Sequence, residues 1–530
     1  MRILTCDEVR EAERAAISRP EMSTLVLMHR AGQAVAQFCL SEFKFSSVCV
    51  VCGKGNNGGD GLVAAEALRQ AVDQIYVIIL AKEVSELSPD AAAMCSRLQL
   101  EPIWIGSEAD FETDAVRQAL GADLLLDAIV GTGFKPPLRG LARKAVDLLN
   151  DAFGTIVAVD LPSGIDADSK VPLQQLEEPT VFSHGIVTFI APKPAHIFGE
   201  LTSGPIAVSE LGVRPAPVAN ANNLQAVTGQ EVGISFPPRT RDANKGQFGH
   251  VLVIAGSRGK AGAAAMAGMA ALRTGAGLVT IACAESIQPT VAGFAAELMT
   301  EALPETDEGT ISKAAAARVE ELLAGKDVVV MGPGLSRHPE TVEFIRDFVK
   351  RCPVPLVLDA DGLNAFEGRG AEIKAGQNFR VLTPHPGEAA RLAGISIKEV
   401  QADRTGMAQR IARDTGSCVV LKGSRTVVAG VSGETWINMT GNPALAKGGS
   451  GDVLSGIIAA ALARQHKPSG PPQAEESVAA AVHLHGLSGD FARDMLHENT
   501  VVATDLIEHL SEAFRECERQ RDRQLYYLQK

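Results

Sequence analysis

The chain has 530 residues, 46% of them apolar and 21% charged, with 51 glycines, two tryptophans and a net charge of −13. That length exceeds what one hydrophobic core supports and calls for two domains of roughly 200 to 300 residues, in a composition typical of folded α/β enzymes rather than disordered or fibrous chains. The acidic balance excludes long-range attraction to nucleic acid or an acidic membrane surface, which needs net or clustered positive charge.

The N-terminal residues 1–8 lack the charged-then-apolar pattern of a signal peptide, and no stretch is long and apolar enough to span a membrane. The nine cysteines have no framework spacing, which fits a reducing compartment and a cytoplasmic protein. From 47 to 211, strand-like runs at 48–52, 75–80, 103–105, 124–130, 156–161, 187–190 and 206–208 alternate with helical spacing at 61–71, 89–98 and 139–149. Cys49 and Cys52 spell C-x-x-C inside the first run, but residues three apart on a strand point to opposite faces, so no metal or redox role is expected. The alternation predicts a doubly wound parallel sheet, with ligands at strand C-terminal ends, where Gly53, Asp127 and Asp160 fall.

The first strand runs into Gly53-Lys54-Gly55-Asn56-Asn57-Gly58-Gly59-Asp60-Gly61, which aims backbone N–H groups and a helix dipole at an anion. Gly53-x-Gly55-x-x-Gly58 satisfies the dinucleotide fingerprint, and a nicotinamide-dependent dehydrogenase is one reading. Against it, Asn56 and Asn57 add side-chain amides, and Asp60 stands where a pyrophosphate is repelled. Two more strand ends carry polar turns, Asp127-Ala128-Ile129-Val130-Gly131-Thr132-Gly133 and Asp160-Leu161-Pro162-Ser163-Gly164. A carboxylate there suits cation coordination, general-base work or a plain Asx turn, and three such ends in one sheet favour function.

GKGNNGGDG, DAIVGTG, DLPSGIDAD, the later TFIAPKPAH (188–196) and the helix containing Leu27-Met28-His29-Arg30-Ala31-Gly32 together resemble the NAD(P)HX epimerase domain, also called the YjeF N-terminal domain. The resemblance covers about 1–215. It implies interconversion of the R and S hydrates of NADH or NADPH, with Asn56, Asn57, Gly58, Gly59, Asp60, Gly131, Thr132, Gly133, Phe134, Lys135, Pro136 and Pro137 lining the nucleotide. It also implies Asp160 as the proton-transfer residue touching the hydrated ring, and Asn57, Asp127 and Ser163 as potassium ligands, all oxygen donors. The proline-rich segment 134–138 departs from the family's usual polar or aromatic one.

Proline, alanine and asparagine replace the periodic pattern at 214–223, where we place the linker. A second α/β series follows: strands at 250–257, 278–282, 328–331, 356–359 and 418–421, an Ala/Gly-rich helix at 261–273, and helices after Gly451 and at 475–495. The charged tail, 515–530, reads as a peripheral helix or frayed end. Gly448-Gly449-Ser450-Gly451-Asp452 opens a helix with bare amides and a neighbouring carboxylate. Phosphoryl transfer needs that arrangement, donors for the charge in transit and a base for a hydroxyl proton.

Residues 244–249, 255–257, 332–335, 359–364, 383–388 and 421–426 carry, in order, motifs resembling the ADP-dependent NAD(P)HX dehydratase, a ribokinase-like domain, over about 225–510. The resemblance implies phosphorylation of the ring hydroxyl, which makes it a good leaving group. Asp452 is then the base, and Gly449, Ser450 and Gly451 form the anion hole. Lys422, Gly423, Ser424, Arg425, Thr426 and Gly451 hold ADP, while Ala263, Gly334, His385 and Asp452 meet the hydrated cofactor. The family commonly has threonine where this chain has Ser450, which keeps the hydroxyl. His385 also reads as a helix cap, Asp359 and Asp361 as magnesium ligands or turn formers, and His483 and His485 as structural.

The whole is an α/β chain, a Rossmann-like doubly wound sheet followed by a ribokinase-like domain, read as a bifunctional repair enzyme. It takes NADHX or NADPHX and ADP, with potassium and magnesium, and no nucleic-acid or membrane partner. The resemblance further implies a homo-oligomer. The rival is a ribokinase-like vitamin or sugar kinase fused to a non-catalytic nucleotide-binding module, which leaves 1–215 unexplained.

Overall fold

The computed structural model describes residues 1–213, 223–375, 378–464, 474–521 and 525–529. The chain forms two compact units: Met1–Asn222 together with Arg523–Lys530, and Asn223–Asp522. Of the expected linker at 214–223, residues 214–222 lie outside the described residues.

In the first unit, β1 (Ser47–Cys52), β2 (Gln74–Ile79), β3 (Ile103–Trp104), β4 (Leu124–Ala128), β5 (Thr155–Val159), β6 (Gly185–Phe189) and β7 (Ile206–Ser209) form a parallel sheet in the order β7-β6-β5-β4-β1-β2-β3. Valine, leucine and isoleucine fill these strands because helices cover both faces of such a sheet. Cys49 belongs to one apolar layer and Cys52 to the other, as the alternation of a strand requires. The order reverses between β1 and β4, and in an open parallel sheet that is where a crevice opens.

The helix after β1 starts at Asn56, inside the glycine-rich segment, rather than near residue 61. The sequence reads as loop because glycine is a poor helix former, but close packing decides. A side chain on Gly58 would bring its Cβ within 2.0 Å of the Gly53 carbonyl, and one on Gly59 within 2.5 Å of Met28.

The tail keeps the expected helix as far as Arg521 and departs from the expectation after it. The helix Leu510–Arg521 ends the second unit, and Leu525–Gln529 then forms an antiparallel edge strand on β7. Leu525, Tyr527 and Leu528 are buried there. The Tyr527 hydroxyl donates to Glu42 at 2.6 Å, and its ring stacks on Phe38. Charge in 515–523 masked an apolar alternation only five residues long.

The second unit holds β8 (Leu224–Ala226), β9 (His250–Ile254), β10 (Leu278–Ala284), β11 (Met299–Leu303), β12 (Val328–Met331), β13 (Leu356–Leu358), β14 (Arg380–Leu382), β15 (Cys418–Leu421), β16 (Val427–Ala429) and β17 (Thr435–Ile437). Their order is β11-β10-β9-β12-β13-β14-β15-β16-β17-β8, parallel from β11 to β15, with β16 antiparallel to both neighbours. Strands β8, β11, β14, β16 and β17 were not expected; most have three residues, too few for periodicity to register. This sheet reverses between β9 and β12, and the helices Ala261–Thr274 and Ser450–Ala463 pack together on it.

Two candidate active sites

The first crevice is a cleft of about 760 Å³ at the β1/β4 reversal. Of the predicted substrate residues, Asn56, Asn57, Asp60, Gly131, Thr132, Gly133, Phe134 and Asp160 line it. Gly58 and Gly59 do not; they let the helix sit against the loop behind it. Lys135, Pro136 and Pro137 also stay out of the lining, and Lys135 instead pairs with Asp166 at 2.7 Å and Asp168 at 3.4 Å. Arg139, Leu141 and Ala142 take the place of that segment.

Asp160 follows β5 in a left-handed backbone conformation, φ 67°. Such a residue is held against local preference, a strain of order 1–3 kcal/mol that recurs at functional sites. Its Oδ2 accepts from the Thr132 amide at 3.0 Å; its Oδ1 accepts from Thr188 at 2.9 Å and Lys193 Nζ at 2.7 Å. His196 Nδ1 accepts from the Lys193 amide, which leaves Nε2–H to donate to the Asp160 carbonyl at 2.8 Å. Burial works to raise the Asp160 carboxyl, but the Lys193 ammonium and the Thr188 hydroxyl outweigh it and hold it below its ordinary value. Asp160 is therefore an ionised acceptor in the cleft.

Lys193 lies within the 188–196 motif, to which the sequence assigns it no separate role. Its side chain is 1% exposed and that of Asp160 7%. Removing one partner of such a pair strands the other charge in a poor solvent. Lys193→Met is accordingly expected to destabilise the first unit by about 3–5 kcal/mol, seen as accelerated hydrogen exchange of β4 and β5 amides with the second unit's amides unchanged.

Asp127 is fully buried; its Oδ2 accepts from the Ser163 amide at 2.7 Å and its Oδ1 from the Ser163 hydroxyl at 2.6 Å. Burial pushes its carboxyl up to about 6, and no cationic side chain is among these partners. Asn57 buries both its carboxamide oxygen and nitrogen without a hydrogen-bond partner. A Cβ on Gly131 would stand 3.1 Å from the Asn57 carboxamide and 3.1 Å from Asp160 Oδ2. An orphaned carboxamide oxygen and an uncompensated buried carboxylate are what a cation bound through oxygen would satisfy.

In the second unit, Gly449 has φ 95°, where other residues are strained, and the helix Ser450–Ala463 begins directly after it. Asp452 lies in the first turn of that helix, and burial, then the charge of Asp359, pushes its carboxyl up to about 7. A Cβ on Gly451 would lie 3.2 Å from Lys422 Nζ. Lys422 pairs with Asp359 at 2.8 Å and stands 3.9 Å from Glu388, so its ammonium belongs to the carboxylate cluster beside Asp452. Asp359 also accepts from Ser455 at 2.7 Å, so both of its carboxylate oxygens have protein partners.

Gly334 and Ala263 meet, since a Cβ on the glycine would sit 3.2 Å from that of the alanine. Lys260, beside both, pairs with Asp361 at 3.4 Å, and Asp361 in turn accepts from the Ser336 amide. His385 caps the helix Pro386–Ala393, its Nδ1 accepting from the Gly387 and Glu388 amides, with half its side chain exposed. On the nucleotide loop, Gly423 has φ 137° and Arg425 φ 52°, Thr426 donates to the Gly423 carbonyl, and Arg404 donates to the Leu421 and Lys422 carbonyls. Ser424 lies between them.

His485 has a structural role. Its Nε2 lies 3.0 Å from the Ser450 carbonyl and pins the glycine loop from behind, whereas His483 is buried on another side. Neither Arg404 nor Ser455 carries a local signal; topology brings them in.

A family model described as NAD(P)H-hydrate dehydratase matches residues 251–512, and one described as YjeF-related protein N-terminus matches 24–195. The bifunctional NAD(P)H-hydrate repair enzyme of Moorella thermoacetica is 36% identical, covering 98% of this chain and 97% of its own. That of Escherichia coli is 33% identical, covering 95% and 92%. Among solved structures, the ADP/ATP-dependent NAD(P)H-hydrate dehydratase of Bacillus subtilis, co-crystallised with ATP and Mg2+, is 30% identical. It matches 56% of this chain and 99% of its own with a TM-score of 0.48.

Proposed function

This chain belongs to the bifunctional NAD(P)H-hydrate repair enzymes, an epimerase joined to a dehydratase, and we propose how its residues divide that work. The first unit interconverts the R and S hydrates, with Asp160, held ionised by Lys193, as the group that takes and returns the substrate's hydroxyl proton. Asn56, Asn57, Asp60 and the loop Gly131–Phe134 cradle the nucleotide. Potassium is held by Asn57, Asp127 and Ser163 and supplies a fixed positive charge beside the cleft; the orphaned Asn57 carboxamide supports this assignment.

The second unit dehydrates the S form with ADP. Asp452 takes the proton of the ring hydroxyl, the hydroxyl oxygen attacks the terminal phosphoryl group, and AMP leaves. The amides of Gly449, Ser450 and Gly451 carry the charge in transit, with His485 fixing their loop. Phosphate then departs from the ring carbon as a neighbouring carbon loses a proton, which restores the double bond of the reduced nicotinamide. Lys422 to Thr426 face the adenine nucleotide, Ala263, Gly334 and His385 the hydrated cofactor, and magnesium accompanies the nucleotide. We place the protein in the cytoplasm, as a homo-oligomer.

The observation that carries this reading is Asp452, in the first turn of a helix opened by bare glycine amides and with its carboxyl raised towards neutrality. The test supplies both hydrates and ADP to the full-length protein and follows NADH absorbance, in potassium and then in tetramethylammonium buffer. Full conversion in potassium, and stalling of the R form after exchange of the cation, is expected. Indifference to both hydrates with phosphorylation of a vitamin alcohol would hand the second unit to the kinase reading.

A further inference from the structure

The helix Cys6–Ile17 lies outside the matched region 24–195, and no sequence motif draws attention to it. It is nevertheless fastened to three loops of the first cleft. The Leu4 amide donates to the Pro192 carbonyl at 2.9 Å, the Cys6 amide to Asp168 at 2.8 Å, and the Cys6 thiol to the Thr132 carbonyl at 3.2 Å. Thr5 and Glu8 form a capping box at its start, while Ala12 and Ala16 bury in the core. With its register set, Val9, Arg10 and Glu13 line the cleft alongside Asp60, Asp160 and Lys193.

Epimerisation at this centre needs two proton-transfer groups. The hydrate carries its hydroxyl on the ring carbon bonded to the ring nitrogen, a hemiaminal. One group removes the hydroxyl proton, the carbon–oxygen bond becomes a carbonyl, and the carbon–nitrogen bond breaks with its electrons going to nitrogen. Nitrogen must then receive a proton. Rotation of the freed aldehyde and the reverse sequence, nitrogen losing that proton as it attacks the other carbonyl face, yields the opposite epimer. Atoms and electrons balance without an oxidant or a second reactant. An ionised Asp160 provides the first group; it keeps the hydroxyl proton to return it on closure, so the ring nitrogen draws its proton from a second group.

We propose that Glu13 is that second group, the acid that protonates the ring nitrogen on opening and the base that takes the proton back on closure. Glu13 is an exposed residue of the cleft lining, and partial desolvation, then the charge of Asp160, raise its carboxyl against the charges of Lys193 and Arg10. Asp60 also faces the cleft among these charges, and its carboxyl is raised, first by burial and then by Asp160 and Glu13. It lies on the helix that carries Asn57 and is left to nucleotide binding. Two carboxyl groups with pKa values driven apart in one cleft are the usual arrangement of an acid and a base.

The inference rests on Asp160 as the hydroxyl base, so the experiment includes that variant. R/S exchange of NADHX is followed by NMR without ADP in full-length wild type, Glu13→Gln, Glu13→Asp and Asp160→Asn. Glu13→Gln is expected to lower the exchange rate at saturating substrate about 100-fold or more, with KM little changed, the alkaline limb of the pH profile lost, and partial recovery in Glu13→Asp. The S-specific dehydration, read with ADP, stays at the wild-type rate. If Glu13→Gln keeps the rate within about threefold, loses it only through KM, or loses it with no change in pH profile, Glu13 is not the acid. If Asp160→Asn also exchanges normally, the assignment of the hydroxyl base fails with it.

Discussion

Asp452→Asn is expected to end NADH regeneration from both hydrates, by about 100- to 10,000-fold, while R and S continue to interconvert. The substitution keeps shape and removes only the capacity to accept the hydroxyl proton. Asp452 sits beside a paired Lys422 and Asp359 whose bonds do not involve it, so little structure is lost. The same carboxyl fixes a pH dependence. Burial and Asp359 raise it from 3.8 to about 7, and a base works only when ionised. Dehydratase kcat/KM should therefore be level above about pH 7 and fall as pH drops through that value, approaching a tenfold loss per unit. A profile flat down to pH 5 would remove Asp452 from the role.

Asp160→Asn gives the complementary result: the S hydrate is consumed with ADP at the wild-type rate, and the R hydrate persists apart from slow spontaneous epimerisation. The expected loss of enzymatic exchange is again about 100-fold or more. Here the structural cost is real, because asparagine leaves Lys193 buried without its counter-charge. Asp160→Asn combined with Lys193→Met separates the two effects. Stability should recover part of the way, since residues in one network do not add, whereas exchange should remain lost. Recovery of exchange in the double variant would show Asp160 to be only a structural partner of Lys193.

Long, strongly patterned elements were legible in the sequence. The alternation of apolar strands and amphipathic helices gave the sheet of the first unit, and valine-rich runs such as 328–331 gave the centre of the second. The glycine loops were legible because bare amides at a helix start leave a compositional mark. What was hidden depends on the third dimension. Glu13 and Arg404 reach their positions through packing at distances along the chain that no local pattern records. Lys193 stands inside the 188–196 motif, but its partner is 33 residues away. His485 reads as structural from the sequence, and the approach of Ser450 shows which loop its ring nitrogen meets. The helix beginning at Asn56 was misread because glycine disfavours helix intrinsically, while Gly53 and Met28 leave room for nothing larger.

The strand Leu525–Gln529 also sets an order of events in time. The first unit's sheet runs from β3 to β7 within the first 209 residues, yet β7 lacks its neighbour until residues more than 300 positions later are made. At typical synthesis rates that interval lasts on the order of half a minute, during which β7 presents a bare edge of the kind that recruits other strands. A nascent chain halted within the second unit would thus carry a first-unit sheet whose β7 edge is still uncovered.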